Sequence, residues 1–456
     1  MAAAIVARRH GLNVTVVDEQ SAPGGQIWRS VETANERDQV LGEAYVEGRA
    51  IAREFRTSGA NYLADGRLWQ IEPGFRAYLS QGQTAQIIEA KAIILATGAQ
   101  ERPVPFQGWT LPGVLTVGAA QILLKSAGQI PSGPVWIAGS GPLPLLYASQ
   151  LRRAGGQITG YLDTTPAGQW PAAVRHLPRA LRAASDLLKG LGWMAALRNS
   201  GIRYIKGVTD IEAAGDGCIE ELRYSVKGSL FRSVPAKTLL VHEGVVPNVH
   251  HAMSLDCEMK WDKAQECFAP RVDSWGESSL SNLLIAGDGA GIGGAKAAML
   301  RGQLAAIRVT NKLGHLSEGA LKTAARSIRR KLDRELATRP FLDALYRPRP
   351  EIFAPSDTTV VCRCEEVTAG EIRALSKVGR PGPNQLKSAT RAGMGPCQGR
   401  QCGYTVTRLL AAQQNRTPSD VGFFHIRPPL KPVTLAELAS LDRAAGTHSL
   451  EHSSYE

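Results

Sequence analysis

The chain alternates short apolar runs, bounded by glycine, proline or charge, with longer stretches of helical spacing. Residues 1–17, MAAAIVARRHGLNVTVV, read as an amphipathic helix that turns at Gly11 and enters an apolar strand, Val14 to Val17, with acidic residues at its end. AIILATG, residues 92–98, predicts a buried strand ending in a tight turn. Residues 134–163 predict strand, glycine turn, helix and second strand; a basic, Ala- and Leu-rich helical stretch then runs from Trp170 to Leu197. Strand-like runs at 202–208, 219–226 and 237–246 follow. NLLIAGDGAGIGGAKAAMLRGQLAA, residues 282–306, predicts an apolar strand, a glycine-rich turn and a helix of small residues. Charged helical sequence from Leu321 to Leu345 and the proline-rich YRPRPEIFAP form a connector. No apolar run approaches the roughly 18 residues of a membrane-spanning helix.

Strand, glycine turn, helix and strand, met twice, indicate an α/β protein with two Rossmann-like dinucleotide-binding domains. In such a unit a Gly-x-Gly-x-x-Gly turn after the first strand aims backbone N–H groups at a pyrophosphate. The first unit opens at its helix, so its first strand and phosphate loop are missing from the sequence as written, and Met1 reads as an internal methionine or a truncated start. Glu19, at the strand end, is placed to accept hydrogen bonds from ribose hydroxyls; Gly24 and Gly25 let the backbone pass close to a flat cofactor. Thr97 and Gly98 form the turn that commonly closes a nucleotide subdomain. Gly287 and Asp288 lead a turn in which the carboxylate can accept from a ribityl or phosphate-linked hydroxyl and the following helix N-terminus can stabilise negative charge.

In the second unit Gly139 and Gly141 stand at the first two glycine positions and Asp163 at the ribose position. Pro144 replaces the third glycine, which is expected to push the helix from the strand and loosen pyrophosphate contact. This lobe therefore either binds a second adenine nucleotide or is purely structural.

At 456 residues there is room for two or three domains, each with its own core. The net charge of +12 permits a nucleic-acid role, but the basic residues concentrate in RSIRRKLDREL and YRPRP without interleaved aromatics. A solvated helix face fits better, with a docking face for an acidic protein as the alternative and no nucleic-acid partner. The N-terminus resembles neither a signal nor a transit peptide, which predicts a cytoplasmic protein without a transmembrane segment. His242, His250 and His251 lack metal-ligand spacing and are expected as surface or satisfied core residues, with a flavin-edge contact for one of them as the alternative; the tail beyond Ala444 is expected to be disordered.

Chemistry concentrates near the C-terminus. Cys362 and Cys364 form a Cys-x-Cys pair, and Cys397 and Cys402 a Cys-x4-Cys pair. In a reducing compartment such pairs are metal ligands sooner than disulfides. By spacing alone a zinc site competes with an iron–sulfur cluster, although zinc ribbons usually pair their cysteines as Cys-x2-Cys. Cys218, Cys257 and Cys267 are read as free thiols; Arg363, Arg400 and Lys387 are either cations placed to stabilise a reduced cluster or solvated side chains.

The order AIILATGAQERPVPFQGWTLPGV, IAGSGP, HEGVVPNV, LLIAGDGAGIGGAKAA and then the two cysteine pairs resembles the flavoprotein component of opine oxidases, hydrogen cyanide synthases and dye-linked proline or hydroxyproline dehydrogenases. The C-terminal part is similar to the bacterioferritin-associated-ferredoxin type of [2Fe-2S] domain. The resemblance implies FAD at Glu19, Gly24, Gly25, Thr97, Gly98 and Asp288, and a [2Fe-2S] cluster on Cys362, Cys364, Cys397 and Cys402. It also implies a catalytic, amino-acid-oxidase-like flavoprotein partner, a small ferredoxin subunit in some assemblies, and membrane association only through partners. Together these readings divide the chain into an FAD-binding domain (1–112 and 246–312) interrupted by the second Rossmann-like domain (113–245). A helical connector (313–355), a [2Fe-2S] domain (356–415) and a tail (416–456) follow. The expected function is that of an FAD- and [2Fe-2S]-containing subunit of an amine or amino-acid dehydrogenase that relays electrons from C–N bond oxidation. A scaffold subunit with a lost flavin site and a pyridine-nucleotide-dependent disulfide-type reductase are the alternatives.

Overall fold

A computed structural model describes residues 1–379 and 381–441; the sequence beyond Ala444 lies outside them. The second lobe is built on a five-stranded, all-parallel sheet in the order 203–206, 158–163, 135–139, 239–242, 114–116. Strand Val135–Gly139 is buried along its whole length, as a central parallel strand must be when helices cover both faces. Helix Pro142–Arg153 packs Leu145, Tyr147, Ala148 and Leu151 against Val135 and Ile137. The expected displacement of this helix by Pro144 does not occur. Both prolines occupy its first turn, where their absent N–H groups would have had no intrahelical acceptor.

The first lobe holds two separate parallel pairs, 15–17 with 61–63 and 93–95 with 283–285, and no described strand lies between them. Helix Ala2–Arg9 and helix Ala295–Lys312 cover them, sharing a core of Ala7, Leu12, Leu284, Ala286, Ala305 and Val309. The two chain crossings between the lobes run side by side as an antiparallel pair, 99–101 with 245–247. Just beyond them Arg102, only 3% exposed, donates to the carbonyls of Glu243, Gln265 and Glu266, satisfying three buried acceptors with one guanidinium.

The cysteine-bearing region does not stand apart. Val361, Cys362, Val367, Ile372, Cys402, Val406 and Leu410 share one core with Val246, Val249, Met253, Cys267 and Phe268 of the first lobe. The connector is equally built in. Arg349 is buried and paired with Glu243 at 2.8 Å, and Glu266 receives both Arg347 (3.1 Å) and Arg408 (3.0 Å). Arg329 lies 4.1 Å from the centroid of the Trp275 ring. Of the arginines of YRPRP, expected on a solvated or docking face, Arg349 is thus an internal tie, while Arg347 stays half-exposed and pairs with Glu266 from the surface.

Residues 416–441, expected as a tail, form a strap across the first lobe. Leu430 donates its N–H to the Trp69 carbonyl (2.7 Å), Lys431 pairs with Glu19 (2.9 Å), Glu437 pairs with Arg67, and the Ser440 hydroxyl accepts from the Ala85 N–H (2.8 Å).

Candidate cofactor sites

Three turns of the first lobe converge. Gly98 takes φ +66, a conformation that favours glycine, with nothing within 4 Å of the missing Cβ. Asn248 clasps this turn: its N–H donates to the Gly98 carbonyl (2.9 Å) and its own carbonyl accepts from the Thr97 hydroxyl (2.8 Å). Gly289 packs against Thr97 Oγ1, bringing the 287–294 turn alongside. Asp288 Oδ1 accepts from the N–H groups of Gly293 (2.9 Å) and Gly294 (3.0 Å), so this carboxylate oxygen shapes its own turn, and Arg301 ties the turn to its helix through the Gly287 carbonyl (3.1 Å).

Glu19 stands at the end of strand Thr15–Val17, with its carboxylate on Lys431. Gly24 is needed locally, since a Cβ there would collide with the Trp28 carbonyl, whereas Gly25 (φ +59) borders open space. Beside it Lys125, 6% exposed, donates to the Gln26 carbonyl (3.1 Å), and burial lowers its pKa to about 8.

Two residues near this turn belong to no motif that would mark them as part of a site. Among the described residues Asn248 Oδ1 is buried without a hydrogen-bond partner, and so are both ring nitrogens of His251. Burial, then the Arg400 charge, lowers the His251 pKa to about 4. Orphaned polar atoms are rare in a folded interior, and a group of them beside an open glycine turn suits a polar ligand. His251 is therefore a core histidine but not a satisfied one. His242 is satisfied: its ring Nδ1 lies 2.7 Å from Glu101 Oε1, and Glu101 Oε2 accepts from the Gly118 N–H (2.8 Å).

In the second lobe the motif residues already have structural partners. A Cβ at Gly139 would collide with the His242 carbonyl, to which Ser140 also donates (3.1 Å). Asp163 accepts from the Thr165 N–H (3.0 Å) and the Tyr204 hydroxyl (2.6 Å). Only Gly141, at φ +94 with nothing near its missing Cβ, stays open at the helix N-terminus.

The four C-terminal cysteines come together as two pairs, Cys362 with Cys402 and Cys364 with Cys397. The Cys402 thiol, then the backbone N–H groups of Gly393, Glu365 and Cys364, hold Cys362 down to about 6. Two thiol pairs are what a two-iron cluster requires, each iron taking two thiolates. The cradle is made by glycine: a Cβ at Gly395 would collide with Cys364 Cβ, and Gly393 and Gly399 press on the Phe424 ring. Cys402 stands at the N-cap of helix Gly403–Gln414, and its hydrogen bond to Cys362, then burial, push its own thiol well above the ordinary range. Of the three expected cations, Arg400 folds onto the loop, donating to the Cys397 carbonyl (3.2 Å); Lys387 leans on the Phe424 ring and Arg363 points to solvent. Cys257 and Cys267 are buried free thiols and Cys218 an exposed one.

The two regions touch. His250 Nε2 donates to the Gln398 carbonyl (3.2 Å), and Gln100 Nε2 to the Arg400 carbonyl (3.0 Å). The loop that carries Cys397 and Cys402 is thereby pinned to the turn of Thr97, Gly98 and Asn248.

Residues 1–305 match the family model described as pyridine nucleotide-disulphide oxidoreductase, and residues 360–412 that of the BFD-like [2Fe-2S] binding domain. The chain is 43% identical to the A subunit of opine oxidase from Rhizobium meliloti (strain 1021), over 95% of this chain and 94% of that one. It is 33% identical to hydrogen cyanide synthase subunit HcnB of Pseudomonas aeruginosa, over 98% and 97%. The fold is that of the L-proline dehydrogenase from P. horikoshii, with a TM-score of 0.70 at 17% identity, covering 96% of this chain and 77% of that one. Among the described residues no helix is long and apolar enough to cross a membrane. A flavoprotein fold over two thirds of the chain, a [2Fe-2S]-binding domain after it and near full-length identity of this order place the protein, as a flavin-dependent oxidoreductase subunit, in the family of the opine oxidase A subunits and hydrogen cyanide synthase subunit HcnB.

Proposed function

We propose that this chain relays electrons between a flavin at the Thr97–Asn248–Asp288 turn and a [2Fe-2S] cluster on Cys362, Cys364, Cys397 and Cys402. It would do so within a heteromer whose partner, an amino-acid-oxidase-like flavoprotein, oxidises a C–N bond. The observation that carries the reading is the double hydrogen bond, His250 to Gln398 and Gln100 to Arg400, that seats the cysteine loop on the open glycine turn. When bound, a flavin accepts an electron pair and releases it in single steps, and a [2Fe-2S] cluster accepts one electron at a time. The chain's own residues orient and insulate. Asn248 fixes the turn, and its orphaned Oδ1, with the His251 nitrogens, would meet the polar edge of the ligand. Phe423 and Phe424 keep water from the cysteine loop. The substrate class is an opine, an N-substituted amino acid, glycine or a proline derivative; oxidation to the imine removes two electrons and two protons.

One observation favours a second reading, a scaffold without its own flavin: Glu19 and Asp288 Oδ1 already have internal partners. In the second lobe the engaged Gly139 and Asp163 favour a structural role over a bound adenine nucleotide. A disulfide-type reductase would need a cysteine pair outside the 360–412 domain, where only Cys218, Cys257 and Cys267 are available.

The deciding experiment is anaerobic purification, alone and with the amine-oxidising subunit, followed by metal analysis and visible and electron paramagnetic resonance spectra. The relay predicts about two irons per chain, a flavin spectrum and a cluster signal on reduction. Stoichiometric zinc without iron sinks the relay; iron without flavin selects the scaffold.

A further inference from the structure

Helix Ala184–Arg198 is apolar on two opposite sides. Leu187, Trp193, Met194 and Leu197 pack inward, while Leu188 and Leu191 point out, 67% and 59% exposed. Leu181, before the helix, is exposed as well, and so are Trp170 and Val174 of helix Trp170–Val174, whose Ala173 shares a core cluster with Leu187. Gly190 and Gly192 have no atom within 4 Å of a built Cβ, so the surface is open to close approach. A cavity of about 360 Å³ lies beside helix Trp170–Val174, with Arg175, Asp343 and Arg347 on its wall. A helix with apolar side chains on both its inner and its outer side belongs between two packed bodies, and the described residues supply one of them.

We propose that this surface docks a second polypeptide, the amine-oxidising subunit of the preceding reading, through an apolar patch rimmed with carboxylates. Charge decides the occupant. Arg175, Arg179, Arg182 and Lys189 are exposed around the patch and, among the described residues, none pairs with a carboxylate; Asp186 is the one acidic residue of the segment 170–198. A second copy of this chain would set these cations against their like. A membrane-surface helix needs a polar face opposite its apolar one, and here the opposite face is core. The cavity suits one anchoring side chain, the feature around which interface energy concentrates.

The proposal rests on the heteromer reading and has its own test: hydrogen exchange of the full chain, alone and co-purified with the amine-oxidising subunit, and titration of the association. Exchange over 181–195 slows in the complex. Leu188→Asp with Leu191→Asp weakens association at least tenfold, and Arg182→Glu with Lys189→Glu does so at low salt, with a smaller loss at high salt. Unchanged iron and flavin spectra show that both variants fold. A complex that forms without protection of 181–195, and with unaltered affinity in both variants, overturns the proposal. So does self-association, or binding to vesicles of anionic lipid, that Leu188→Asp abolishes. Failure of any complex to form overturns the surface and the heteromer together, while the spectra of the chain alone still judge its cofactors.

Discussion

Within the cysteine loop, each thiol depends on what surrounds it. Cys362 and Cys402 are buried and meet each other, so Cys362→Ser or Cys402→Ser should leave less than about a tenth of the wild-type iron, since the thiolate is the ligand. Cys218→Ser should leave iron unchanged. Gly395→Ala should lose iron with all four thiols intact, because the new Cβ displaces Cys364; iron-to-protein ratio after anaerobic desalting reads all of these. His251 sets a pH dependence. Its pKa falls from 6.5 to about 4 on folding. Below pH 6.5 the unfolded chain therefore takes up a proton that the folded chain refuses. The contribution is fully present above pH 6.5 and drains as pH falls toward 4, the loss reaching about 2 kcal/mol by pH 5. His251→Phe should flatten that fall in urea midpoints measured between pH 7.5 and pH 5.

At the scale of elements, the second glycine motif shows one spelling serving two purposes. Gly139 lets two parallel strands pass where the His242 carbonyl leaves no room for a side chain, and the prolines of the following helix fit a first turn that has no acceptor for their N–H. Gly139→Ala should therefore destabilise the lobe by about 3 kcal/mol or more through backbone collision. The signature is a lower unfolding midpoint without any added nucleotide. A change confined to nucleotide affinity, with the midpoint intact, would instead make Gly139 a phosphate-binding residue.

At the scale of the whole molecule, buried ion pairs and the strap join the lobes to the cysteine domain. Glu243 sits at the end of the second lobe's sheet and Arg349 in the connector, 1% and 8% exposed. Arg349→Met leaves a buried carboxylate unpaired and should cost about 3–5 kcal/mol; adding Glu243→Leu should recover most of it, because the pair's net value is small once both charges are gone. Denaturation of the two single variants and the double variant closes that cycle. The strap has a comparable reach: its Lys431 holds the carboxylate expected at the ribose, and its Leu430 carbonyl lies 3.4 Å from the Arg400 guanidinium on the cysteine loop.

Periodicity, glycine placement and cysteine spacing determined the α/β class, both Rossmann-like lobes and the four thiols, because these are local: a strand, a turn or a pair is written within a few neighbouring residues. What they could not determine is which polar group is already satisfied, since the partner lies far along the chain. Glu19 meets Lys431 412 residues later, Arg349 meets Glu243, Asp163 meets Tyr204, and the His251 ring nitrogens find no hydrogen-bond partner among the described residues. The outward face of helix 184–198 belongs to the same class. Its leucines fall on both sides of the helix, and only tertiary packing decides which of them the described residues cover and which stay exposed.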